Sequence, residues 1–281
     1  SIAFVEEAFG AWHIKGGVGK LADAVYQRCL DRGVKFEFNS PITAINYDGK
    51  SVTGLVLGDG RSIDYEVVVA NADASLVYNK LISGKVSKLK RTRKNLAKAE
   101  PSLAGFSLLL GLRPTDQPTG LSHHNVLFPK DYDEEFEDIF SRKVPVADPT
   151  IYICAPNDPD MVKGSNKESW FVLVNAPRHE PGSGWDWNNG SALYAAKIIA
   201  KLDELGLRVS ERLEVMEFQT PADLEEEVSA PGGSIYGTSS NGARSAFMRA
   251  KNRSPIKGLY LVGGSAHPGG GLPLVGISGD L

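Results

Sequence analysis

Residues 258–278 read GLYLVGGSAHPGGGLPLVGIS, and the fold turns on this stretch. Leu259, Tyr260, Leu261 and Val262 form a continuous apolar run that predicts a buried strand. Gly263 and Gly264 permit the turn that ends it. Gly269, Gly270 and Gly271 carry no side chains, so a ligand can approach their amides closely, and Pro273 suits the first turn of a following helix. The unpaired N–H groups at such a helix start attract phosphate, or a carbonyl that gains negative charge on reduction. An ordinary strand-loop-helix junction uses the same residue types, so glycine content alone leaves both readings open.

The specific order LYLVGGSAHPGGGLPLV (259–275) resembles the C-terminal flavin-binding signature of the carotenoid desaturase family, the bacterial phytoene desaturases and their relatives. GAWHIKGGVGKLADAV (10–25), VVVANADAS (67–75) and LSHHNVLFPKDYDEEFEDIF (121–140) resemble three further family segments. The resemblance implies a mixed α/β and α+β chain: a split FAD-binding domain of the glutathione-reductase-like, amine-oxidase-like kind with an inserted substrate domain. It assigns 1–73 to part of the FAD-binding domain with an antiparallel meander, 74–229 to the substrate domain and 230–281 to the C-terminal return. FAD contacts are implied for Gly263, Gly264, His267, Gly269, Gly270, Gly271, Leu272, Pro273 and Leu274, with an apolar adenine contact from Ile42. The family opens on a strand followed by G-x-G-x-x-G, which these residues lack. The chain is therefore expected to be a C-terminal portion without the N-terminal βαβ unit, binding FAD weakly by itself.

The implied activity is FAD-dependent desaturation of a carotenoid precursor such as phytoene, by hydride transfer to the flavin. An isomerase, a ketolase-type oxygenase or a hydroxycarotenoid dehydrogenase of the same family stays open, since these relatives share the terminal motif. The implied partners are a long apolar isoprenoid, a membrane surface met peripherally from the cytoplasm, and quinone or oxygen as electron acceptor. No residue pattern names a catalytic base.

Composition fits a globular chain: 42% apolar, 23% charged, net charge −3. That excludes the basic excess of a nucleic-acid binder and the signature of disorder. Cys29 and Cys154 form no disulfide framework or metal spacing, which predicts a reducing compartment. No run reaches the roughly 20 apolar residues of a membrane span.

Along the chain, Val18, Leu21, Ala22, Val25 and Cys29 share one helical face, with Gly33 placed to cap the helix. Strands are predicted at 34–38, 42–47, 51–57 and 61–66, the last three joined by Asp48-Gly49 and Asp59-Gly60 as hairpin turns. The run 67–70, apolar on both faces, predicts re-entry into a buried sheet. In the second block, 103–112, 150–155 and 170–175 predict strands, and 191–205 a helix with Leu193, Ala196, Ile199 and Ala200 inward, stopped by Gly206. The Lys/Arg-dense run 85–98 reads as a solvated helix face or a membrane-surface patch. After the loop 181–184, Trp185 and Trp187 read as core anchors or as channel lining. Glu225, Glu226 and Glu227 read as a solvated helix face.

Lys15-Gly16-Gly17-Val18-Gly19-Lys20 nearly spells the P-loop of ParA-like ATPases, but Leu21 stands where the Mg²⁺-binding hydroxyl is needed. No metal site is expected, because His123 and His124 diverge in an extended segment and lack a third ligand at metal spacing. His13 and His267 are expected near the flavin, either biasing its protonation or making a structural hydrogen bond.

Overall fold

The computed structural model describes residues 7–117, 119–162, 167–180, 182–183, 185–239 and 249–281. Helix α1 (Gly19–Asp31) ends at Gly33, whose φ of 78° is the left-handed geometry that glycine tolerates. Three short strands, β1 (Ile42–Tyr47), β2 (Val52–Leu57) and β3 (Ser62–Asp64), form the antiparallel meander that the two Asp-Gly turns predict. Strand β4 (Val68–Ala70) follows, and pairs in parallel with β10 (Leu259–Leu261), Leu259 standing opposite Val68. A parallel pair needs a crossover. Here most of the chain makes it.

Within that crossover lies a five-stranded antiparallel sheet of order β6-β7-β8-β5-β9. Its strands are β5 (Ala104–Leu112), β6 (His124–Leu127), β7 (Ile151–Cys154), β8 (Glu168–Ala176) and β9 (Leu213–Gln219). Helix α2 (Lys90–Lys98) precedes the sheet, while α3 (Trp187–Glu204) and α4 (Pro221–Val228) flank β9 in sequence. One sheet face is the core. Phe106, Leu108, Leu110, Ile151, Ile153, Trp170, Val172 and Val174 pack there with Trp187, Tyr194, Ile198 and Leu202 of α3. A second core joins the meander to the β4–β10 pair through Ile45, Val52, Val68, Leu259 and Leu261. The turn of helix and π-helix at Ala74–Leu81 also enters it through Val77 and Tyr78.

Several expectations need correction. Residues 34–38 form no strand, because no strand among the described residues pairs with them; Phe36 and Phe38 stack on each other and lie tilted against Tyr26 at the surface. The face of α1 that spacing predicts is not buried against the rest of the described chain. Strands β4 and β10 are buried on alternate residues only, Val69 and Tyr260 lying outward, since among the described residues the core packs on one face of the pair. Helix α3 starts earlier, at Trp187, with Asp186 capping it, and its buried face is Ser191, Tyr194, Ala195, Ile198, Ile199 and Leu202. Leu193, Ala196 and Ala200 face out, because the sheet lies on the other side. Trp187 is core, stacked on Phe106 at 5.7 Å. The loop 181–184 falls partly outside the described residues.

The basic run is not uniformly solvated. Arg93 donates to the carbonyls of Tyr78 (2.7 Å), Ile82 (2.5 Å) and Gly84 (2.7 Å), taking up acceptors that the irregular turn leaves without helical partners. Of the three glutamates, Glu225 is half-buried and paired with His179 Nδ1 at 2.9 Å, while Glu226 and Glu227 are exposed. Among the described residues no helix is long and apolar enough to cross a membrane.

Candidate cofactor site

The glycine-rich turn leaves the carboxyl end of β10 and opens helix α5 (Leu272–Asp280), with Gly271 at the N-cap and Pro273 in the first turn. Gly263 (φ 95°), Gly269 (138°) and Gly271 (104°) take backbone conformations that side chains resist. Ser278, buried near the end of α5, braces the turn: its Oγ accepts the Gly263 N–H (3.2 Å) and an N–H of Asn252 (3.0 Å). Asn252 Nδ2 also donates to the His267 carbonyl at 2.9 Å. The His267 ring is thereby left to the surface side of the turn.

The corner Asn71-Ala72-Asp73 ends the neighbouring strand β4. Ser75 N–H donates to Asp73 Oδ1 (2.8 Å), and Ala74 N–H donates to Ser265 Oγ (3.1 Å), which itself donates to the Ala72 carbonyl (3.3 Å). The two strand ends are so tied together. Between them opens a cavity of about 410 Å³, bounded by Asn71, Asp73, Val262, Gly264, Ser265 and Ile235. It sits at the carboxyl end of a parallel pair, where open α/β sheets place their ligands.

The described residues fit a flavin here. A Cβ at Gly271 would meet open space, and Leu272, Leu274 and Ile277 are exposed apolar side chains on the same short helix. With Pro273 lacking an N–H, the amides of Leu272 and Leu274 are the free donors of its first turn, and Val275 N–H is already bonded to the Gly271 carbonyl (2.9 Å). Gly270 has a second reason to be glycine, beside the expected close approach of a ligand. Its φ is ordinary, and an added Cβ would overlap the ring of Tyr236.

Ile42 lies in the meander, half-buried opposite Leu57, in a separate sheet from the turn. His13 lies elsewhere again. Its Nε2 pairs with Asp158 Oδ2 at 2.8 Å, in the loop after β7. Gly16 N–H donates to the same oxygen (2.7 Å) and Asp160 N–H to Oδ1 (2.9 Å). These bonds, led by that from His13, push the Asp158 carboxyl down to about 2. Of the glycines in the P-loop look-alike, a Cβ added at Gly16 would meet Lys20 and Asp160 and one at Gly17 would meet Met161, while one at Gly19 would meet open space.

The premise that the side chains of His123 and His124 diverge does not hold. The His123 and His124 rings stand 4.4 Å apart, and Cys154 joins them from β7. His123 precedes β6, so strand alternation does not separate the pair, and Cys154 is opposite His124 in the register. Only pairing across strands 30 residues apart reveals this third residue. Burial, then the neighbouring His124 and His13, holds His123 below its usual range.

The sheet's second face carries a further feature that the sequence conceals. Register places Cys154, Phe171 and Leu109 in one row across it, and Val126, Tyr152 and Leu173 in the next. Leu109, Val126 and Phe171 are exposed. At one end of this face, a Cβ on Gly105 would touch both Leu173 and Ile235. Ile235 lines the cavity at the glycine-rich turn, so the apolar face runs into that cavity. Beside Trp170, whose ring belongs to the core on the opposite face, lies a larger and more polar hollow that includes Thr115, Gln117, Asp158 and Glu168.

The family described as flavin containing amine oxidoreductase matches residues 2–101. A 1-hydroxycarotenoid 3,4-desaturase of Flavobacterium sp. (strain P99-3) is 32% identical across all of this chain and 56% of its own length. A zeta-carotene-forming phytoene desaturase of Myxococcus xanthus is 34% identical across all of this chain and 53% of its own. The chain spans about half the length of the curated relatives it matches. In fold it is similar to an oxidoreductase from Methanosarcina mazei (TM-score 0.60, 16% identity), covering 99% of this chain and 56% of that one.

Proposed function

We propose that this chain belongs to the carotenoid desaturase family of flavin-dependent oxidoreductases and is the substrate-binding and flavin-ring-binding portion of an FAD-dependent desaturase acting on a carotenoid precursor such as phytoene. The observation that carries the substrate assignment is the uncovered apolar sheet face leading past Gly105 and Ile235 to the glycine-rich turn. A long isoprenoid hydrocarbon has almost no polar handle, so its affinity must come from buried apolar area, at roughly 25 cal/mol per Å². Leu109, Val126, Phe171 and Leu173 supply such area, and the row geometry suits a linear chain.

Bound FAD supplies the acceptor for a hydride from a C–H bond beside the conjugated system. The chain's own residues orient and polarise. Gly263, Gly264, Gly269, Gly270 and Gly271 would keep the backbone close to the ring, with His267, Leu272, Pro273 and Leu274 beside it. The Leu272 and Leu274 amides, at a helix N-terminus, stabilise negative charge that develops there. Ile42 would contact adenine. We divide the chain at 1–73, 74–229 and 230–281 into flavin, substrate and flavin portions. A peripheral membrane approach from the cytoplasm would let the apolar face take up a lipid-dissolved substrate, with quinone or oxygen reoxidising the flavin.

Reconstitution tests this reading. The protein carrying this chain, supplied with FAD and phytoene in liposomes, should yield products with longer conjugated polyenes by absorbance, and Leu109→Asp should abolish them while the fold persists. Unchanged turnover by Leu109→Asp would remove the sheet face from the substrate path.

A further inference from the structure

We propose that His123, His124 and Cys154 form a binding site for a thiophilic divalent transition metal such as Zn²⁺. One ligand atom from each side chain lies within 4.8 Å of the others. A tetrahedral zinc site with Zn–N near 2.0 Å and Zn–S near 2.3 Å has ligand atoms about 3.3–3.8 Å apart. The three groups need to close by roughly 1 Å. His124 is exposed and His123 and Cys154 half-buried, so the side chains have room for that adjustment.

The backbone sets this cluster up. Ala155 N–H donates to the His123 carbonyl at 2.8 Å, which makes His124 and Cys154 a non-hydrogen-bonded cross-strand pair. Side chains stand closest in that kind of pair. The β6–β7 ladder therefore holds two of the ligands face to face, and the turn entering β6 swings in the third. Two imidazoles and a thiol are a soft, nitrogen- and sulfur-rich donor set that suits Zn²⁺ and disfavours Mg²⁺ or Ca²⁺.

Surrounding groups fit the role of an outer shell. The Tyr152 hydroxyl lies 2.8 Å from His124 Nδ1, and in the tautomer that protonates Nδ1 it accepts that N–H and leaves Nε2 to serve as the ligand. The His13 ring packs edge-on against His123 at 4.8 Å and is itself held by Asp158. Three protein ligands leave the fourth tetrahedral position to water, on the side where His124 is open to solvent. The site sits in the same row as Phe171 and Leu109, so a metal there would stand at the margin of the apolar face.

Cobalt titration decides the matter. Purified protein, stripped of metal with chelator and kept reduced with a phosphine, is titrated with Co²⁺. One equivalent should produce a thiolate-to-cobalt charge-transfer band with tetrahedral visible absorption, both displaced by Zn²⁺. Cys154→Ser should lose the band, Cys29→Ser should keep it, and His124→Asn should weaken Co²⁺ binding at least tenfold. Circular dichroism shows which variants retain the fold. Should Cys154→Ser fail to fold, the double variant His123→Ala/His124→Asn gives the same test on an intact thiol. No charge-transfer band in the wild type, or a band that survives Cys154→Ser or that double variant, would overturn the proposal.

Discussion

Ser278 Oγ accepts the Gly263 N–H at 3.2 Å, and this bond ties the far end of α5 to the first positive-φ glycine of the turn. Both residues are buried, so water cannot replace the acceptor. Ser278→Ala would leave the amide unpaired at a cost of about 1–3 kcal/mol. Urea denaturation should show that loss as a lower midpoint at unchanged slope, whereas an unaltered midpoint would mean that the turn holds its shape without Ser278.

Gly270 faces Tyr236 rather than a strained backbone. Gly270→Ala should therefore destabilise by about 1–3 kcal/mol through overpacking, and Tyr236→Ala in the same chain should recover much of that loss. A double-mutant cycle reads the coupling directly. Strictly additive effects would place the glycine requirement elsewhere.

Asp158 makes stability depend on acid. Its carboxyl falls from an ordinary 3.8 to about 2 in the folded chain, so it contributes stability that is fully present above the unfolded value and is lost as pH falls through about 2. The difference in Tm between wild type and Asp158→Asn should be constant above pH 5 and shrink steadily from pH 4 to pH 2. A difference that persists unchanged to pH 2 would contradict the docking of His13 and Gly16 on this carboxylate.

Trp187 is the anchor of the sheet-helix core, stacked on Phe106 and edge-on to Tyr194. Trp187→Ala should cost about 3–5 kcal/mol, the range for a large aromatic removed from a packed interior. Trp185 is only partly buried beside that core, so Trp185→Ala should cost less. Equal losses in chemical denaturation would show that both rings, not one, bear the packing.

The sequence by itself determined the elements whose signals are local. Asp48-Gly49 and Asp59-Gly60 set the meander, Gly33 stops α1, and the run 258–278 announces a strand, a glycine turn and a helix start. Tertiary structure decided everything that depends on what lies opposite. A strand needs a partner, so 34–38 stays irregular; a helix buries whichever face meets the sheet, so Tyr194 and Ile198 go inward and Leu193 goes out. Gly270 answers to Tyr236, and Arg93 to three carbonyls of a distant turn. His123, His124 and Cys154 meet because antiparallel register sets residue 124 against residue 154. Side-chain spacing along a chain fixes periodicity, but only the packing of one segment on another fixes proximity, and binding chemistry is a matter of proximity.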